Sequence, residues 1–118
     1  MTDNNTGLIW QKSTADTDGS GVIDSSDRIP WQDAIDYCIA LGSGWRLPER
    51  IELRSIVDYG RTNPAINPMF NCQSSYYWLA TTYAGYTGTA WGIYFYYGDD
   101  SHHAKTNSRY VRCVRAGL

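Results

Sequence analysis

A single change of hydrophobic period divides this chain, and it restricts the fold more than any one motif does. From Trp31 to Leu41 the apolar positions Trp31, Ala34, Ile35, Cys38 and Leu41 recur at helical spacing, and Gly42 and Gly44 stop the run. Pro48 suits the first turn of a second helix with Leu53, Ile56 and Val57 on its apolar side. Its Glu49, Arg50, Glu52 and Arg54 read as an ordinary solvated face. Residues 60–71 hold two Asn-Pro steps and no periodicity, which makes them a long loop. After that the period becomes two. Tyr76 to Thr82 and Trp91 to Tyr97 read as strands, and in the second Trp91, Ile93 and Phe95 face one side while Gly92, Tyr94 and Tyr96 face the other. Arg109 to Val114 reads as a closing strand, and Thr6 to Gln11, with Leu8 and Trp10 on one side, as an opening one. A strand, two helices and then strands make an α+β fold, with the helices packed on a small antiparallel sheet rather than a βαβ repeat. At 118 residues the whole chain, 1–118, is expected to be one domain.

Charge excludes some partners. A net charge of −2 offers no global field for nucleic acid. Lys105, Arg109, Arg112 and Arg115 cluster near the C-terminus and leave a local basic patch open. No run of about 18 apolar residues exists, so membrane insertion is not expected. The opening MTDNNTGLIW lacks the basic-then-apolar pattern of a signal peptide, so the chain is expected to be an excised domain or to reach the outside by particle assembly or release. Ten Tyr and five Trp against two Phe is a composition favoured at binding surfaces. Three cysteines, Cys38, Cys72 and Cys113, allow at most one internal disulfide, and on the residues alone they can equally be reduced, buried thiols.

Residues 16–27 read D-T-D-G-S-G-V-I-D-S-S-D. Set against a calcium loop of the EF-hand type, Asp16, Asp18 and Ser20 take the first, third and fifth places, Val22 offers its carbonyl, and Asp24 and Asp27 take the ninth and twelfth. Asp in the last place, where Glu is usual, makes the loop look more like those of dockerins. A structural calcium ion is the expected cofactor, and a plain acidic turn is the alternative.

The segments TDNNTGLIWQ, WQDAIDYCIAL, GWRLPERIELRSIVDY, NPAINPMF, YYWLATTY and AWGIYF…YVRCVRAG together resemble the Lcl C-terminal-domain family, a branch of the C-type-lectin-like superfamily. The resemblance implies a two-helix, small-sheet ligand-binding domain, with a disulfide between Cys38 and Cys113 in an oxidising exterior on a virion or cell surface. Homo-oligomers occur by family analogy. Some members of this fold are variable proteins of diversity-generating retroelements, in which adenine errors rewrite asparagine codons near the C-terminus. Every residue of GIYFYYGDDSHHAKTNSR (92–109) except Lys105 is reachable by that route.

The expected ligand-binding surface therefore spans 83–109, on the outward positions of the Trp91–Tyr97 strand and the turn after it: Gly92, Tyr94, Tyr96, Tyr97, Asp99, Asp100, Ser101, His102, His103, Asn107 and Arg109, with Tyr83 and Tyr86 from a neighbouring loop. Its partner would be a surface protein or other receptor, for attachment or tropism. The resemblance also allows a glycan-binding adhesin for sulfated polysaccharide. It allows less readily an enzyme of the formylglycine-generating type, in which Cys72 would have to be reactive. No catalytic residues are expected, because Asp99 and Asp100 are adjacent and no nucleophile motif occurs.

Overall fold

The computed structural model describes residues 2–3 and 6–117; Met1, Asn4, Asn5 and Leu118, two of them in the opening segment of the resemblance, lie outside the described residues. The elements are β1 (Leu8–Trp10), α1 (Trp31–Ala40), α2 (Arg50–Arg54), β2 (Tyr76–Thr82), β3 (Thr89–Tyr94), β4 (Asp99–Ala104) and β5 (Val114–Ala116). They form an α+β domain in which β1 pairs with β5 and a second sheet runs β2-β3-β4, every pairing antiparallel.

Helix α1 follows its spacing: Pro30 stands at the N-cap, Ala34 and Cys38 are buried, and Gly42 takes a left-handed φ of 73° just past the end. Helix α2 is shorter than expected. Its N-cap is Glu49, with the Glu52 carboxylate reaching back to the Glu49 amide, so Pro48 lies ahead of the helix. The chain leaves the helix after Ser55 because Val57 pairs with Ile66 of the following loop. Nor is the polar side simply solvated. Glu52 accepts two 2.7 Å bonds from the Arg46 guanidinium, and Arg50 turns inward onto the sheet.

Two apolar clusters sit on either side of the three-stranded sheet. Tyr77, Leu79, Ile93 and Phe95 pack with Leu53, Ile66 and Trp10. Trp78 and Ala90 point the other way, onto Ala34, Leu47, Cys38, Val111 and Cys113. Burying each large side chain on either face contributes roughly 1.5–3 kcal/mol. The doublet Tyr77-Trp78, both fully buried on opposite faces, thus makes β2 a double-sided core strand.

Three strand expectations need correction. Strand β3 ends at Tyr94, and Tyr96 and Tyr97 lie in the turn closed by Gly98, whose amide donates to the Tyr94 carbonyl at 2.7 Å. Gly98 has φ 88°, and a Cβ there would meet the Val57 side chain at 2.5 Å. Residues Asp99–Ala104 are a strand rather than a turn, because they hydrogen-bond along β3. The closing strand is Val114–Ala116, while Arg109 and Tyr110 make isolated bridges to Ile29 and Tyr77.

Cys38 and Cys113 are disulfide-bonded, as the resemblance implied, across a sequence separation of 75. A cross-link of that span restricts the unfolded chain by about 4 kcal/mol. Replacing both cysteines with Ala should lower the unfolding free energy by that order in equilibrium denaturation, and no change would show the link to be idle.

Candidate ligand-binding face

The register of the three-stranded sheet decides which residues can act together. Directly opposed residues share a face, so Tyr76, Tyr94 and Asp99 project together, with Ser101 beside them opposite Gly92 and His103 opposite Ala90. His102, opposite Trp91, and Asp100, opposite Ile93, project the other way. The expected surface of 83–109 is therefore divided by the sheet rather than contiguous.

On the first face the rings form a continuous ladder. Tyr76 stacks on Tyr94 with centroids 4.5 Å apart. Tyr94 lies 6.0 Å from Tyr96, and Tyr96 meets Tyr97 edge-on at 4.5 Å. At the other end His103 meets Tyr76 edge-on at 4.5 Å, and the Arg109 guanidinium lies 5.1 Å over the same ring. Arg109 donates to His103 Nδ1 at 3.2 Å, and His103 Nε2 faces the Ser101 hydroxyl at 3.3 Å. Tyr76 and His103 come from the outer strands and meet across β3, where Gly92 presents no side chain. Gly92 is buried, and a Cβ on it would lie 2.8 Å from the Tyr77 carbonyl oxygen, so its lack of a side chain shapes the face.

The second group is knit into the fold. His102 stacks on Tyr83 at 3.8 Å, and both rings meet Trp91 edge-on. Arg50 lies 4.0 Å over Trp91 and pairs with Asp100 at 2.5 Å. Asp100 is thus held by a cation of α2 and is not a free contact. Tyr86 is exposed at the tip of the β2–β3 loop and Asn107 in the turn after β4, neither within the ladder.

The C-terminal cations do not form one patch. Arg112 is fully buried and donates to the carbonyls of Gln11, Lys12 and Asn71. Arg115 lies over Trp45 and Lys105 over Trp31, which leaves Arg109 alone on the ladder. Tyr76 is the ladder residue that sequence reading missed. It had been placed on a strand, but only the strand order sets it beside Tyr94; the one signal available was the doublet Tyr76-Tyr77, of which one ring must face outward.

In the acidic loop, Asp16, Asp18 and Asp27 bring one carboxylate oxygen each to within 4.8 Å of one another. Asp27 is fully buried and holds the amides of Asp18 and Asp24. Asp16 accepts from the Gly21 amide with Oδ2, while its Oδ1 is buried without a hydrogen-bond partner among the described residues. The Gly21 amide pulls the Asp16 pKa down, but burial and the neighbouring Asp18 and Asp27 carboxyls outweigh it and leave it raised. Asp18 is lowered, first by the Ser26 hydroxyl and then by the Ser20 amide. Ser20 Oγ is turned to the Val22 carbonyl, and Asp24, which caps the short 3-10 turn Ser25–Asp27, is not one of the three converging carboxylates.

His103 is held below its ordinary value of 6.5 by burial, then by the Arg109 and His102 charges. A histidine depressed in the fold stabilises it above the unfolded value and loses that contribution as pH falls through about 6.5 toward the lower folded value. The wild-type melting temperature should therefore drop more between about pH 7.5 and about pH 5 than that of His103→Gln. Parallel curves for the two proteins would show that the fold does not depress the imidazole.

The family model described as the Lcl C-terminal domain matches residues 1–115. No curated protein matches the chain.

Proposed function

The chain belongs to the Lcl C-terminal domain family, a surface or ligand-binding domain, and we propose that it is a display domain whose contacts are made by the Tyr76–Tyr94–Tyr96–Tyr97 ladder. The continuity of that ladder carries the reading. Tyr supplies large contact area with few rotors to freeze, and its hydroxyl end tolerates water until a partner arrives. The rings brace one another and rest on a disulfide-bonded scaffold, so little further order has to be imposed on binding. The disulfide also favours an extracellular setting, on a virion or cell surface.

The finer proposal is that this face is diversified by a retroelement and serves attachment or tropism. The reachable residues Tyr94, Tyr96, Tyr97, Asp99, Ser101 and His103 gather at the ladder, whereas Ile93 and Phe95 of the same stretch are core. A fixed glycan adhesin is less well supported. Tyr76 and Tyr94 turn their ring faces to each other, and a sugar that stacks needs a free face. Catalysis has little to work with, since Asp99 and Asp100 project from opposite faces and burial raises the Cys72 pKa.

We also propose a structural calcium ion in the acidic loop, which two observations favour. The converging carboxylates and the unpartnered Asp16 Oδ1 fit a hard cation. Asp16, Asp18 and Asp27 would hold it, and its charge would relieve the repulsion that raises Asp16.

Two measurements follow. Replacing Tyr76, Tyr94, Tyr96 or Tyr97 singly with Ala should weaken receptor binding about tenfold or more in surface plasmon resonance, and Tyr83→Ala should change it little. Equal effects at Tyr83 and Tyr94 would move the site off the ladder. Calcium at a hundredfold excess over its dissociation constant should add about 2.7 kcal/mol of stability, lost in Asp16→Asn, which can keep the Gly21 bond. An unchanged melting curve would leave an acidic turn.

A further inference from the structure

The Arg109 end of the ladder shows what kind of group a partner brings, an inference that rests on the ladder being the contact face. Arg46, Arg50 and Arg61 each hold a carboxylate. Arg109, half-buried, makes no ion pair among the described residues. Its Nη1 donates to the Ser108 carbonyl at 2.8 Å and its Nη2 to His103 Nδ1 at 3.2 Å, both neutral acceptors, and its buried Nε has no hydrogen-bond partner among the described residues. Burial lowers the Arg109 pKa, Tyr76 opposes that, and the charge of Arg28 adds to it. The fold thus holds a partly dehydrated cation without a counter-charge, at the rim of an aromatic surface. Such a cation gains most from a partner's anion, because part of its desolvation is already spent.

We propose that this face is made for a protein partner that presents an Asp or Glu carboxylate to Arg109 beside Tyr76, with less polar surface lying along Tyr94 to Tyr97. A carboxylate matches the guanidinium fork, and one cation suits one carboxylate. An extended polyanion such as a sulfated glycan suits the face poorly. Asp99 stands on it four residues along β4 from His103, about 13 Å at strand spacing, and would repel the chain's next charges.

The test is selection of a random peptide display library on the intact, oxidised domain, with Tyr94→Ala competition to locate binding. The expected result is enrichment of Asp or Glu among peptides whose binding is lost in Tyr94→Ala. Arg109→Gln, which breaks no ion pair among the described residues, should weaken the selected peptides by about ten- to a hundredfold, and Arg109→Lys by less. Melting curves confirm that both variants fold. Peptides that depend on Tyr94 but lack acidic enrichment, or ignore Arg109→Gln, overturn the carboxylate inference and leave the contact face standing. Peptides indifferent to Tyr94→Ala overturn both.

Discussion

The structure depends on the passage of residues 109–116 through the middle of the domain. Segments from both halves of the chain are fastened to it. The Arg109 amide and carbonyl pair with Ile29, Tyr110 bridges Tyr76 and Trp78, and the Val111 carbonyl holds the Ala15 amide ahead of the acidic loop. Arg112 gathers three carbonyls from two loops, Cys113 is bonded to α1, and Val114 joins Arg46 to β1. A buried arginine held by three backbone carbonyls is costly to remove, because each of them loses a charged donor at once. The disulfide lies in the same segment, so the frame under the tyrosine ladder is held by covalent and polar links together.

That frame explains why the ladder can be polar and half-exposed without being loose. Strands β2 and β3 are fixed by apolar clusters on both sides, and the rings of Tyr76, Tyr94 and His103 meet one another at the end of the sheet. Gly92 keeps the centre of that end clear, so rings on the outer strands meet across it. Geometry is set by the core, and chemistry by side chains that the core does not need. A surface of that kind can change residues at low cost in stability.

Much of the fold was legible in the chain. Helix α1 begins at Trp31 as its apolar spacing requires, and β2 occupies Tyr76–Thr82 as expected. Strand β4 was not legible, because DDSHHA carries no apolar alternation; it is a strand through pairing with β3 rather than through burial. The face of each residue was lost with it, since a turn has no two-residue period. Asp100 and His102 were therefore assigned to a surface from which the register removes them. Helix α2 lost its last residues to a bridge between Val57 and Ile66, a long-range contact invisible to local periodicity. Arg50 was read as solvated because nothing local marks the Trp91 and Asp100 that receive it.

The central claim is that a changeable face stands on an unchanging frame, and sequencing the 3′ end of this gene across a natural population tests it most directly. Variation should concentrate at the codons for Tyr94, Tyr96, Tyr97, Asp99, Ser101 and His103, beside an adenine-bearing template copy. The codons for Gly92, Ile93 and Phe95 should stay fixed, because the core admits no substitute there. Ladder codons as invariant as that core would contradict the account and leave a domain tuned to one ligand.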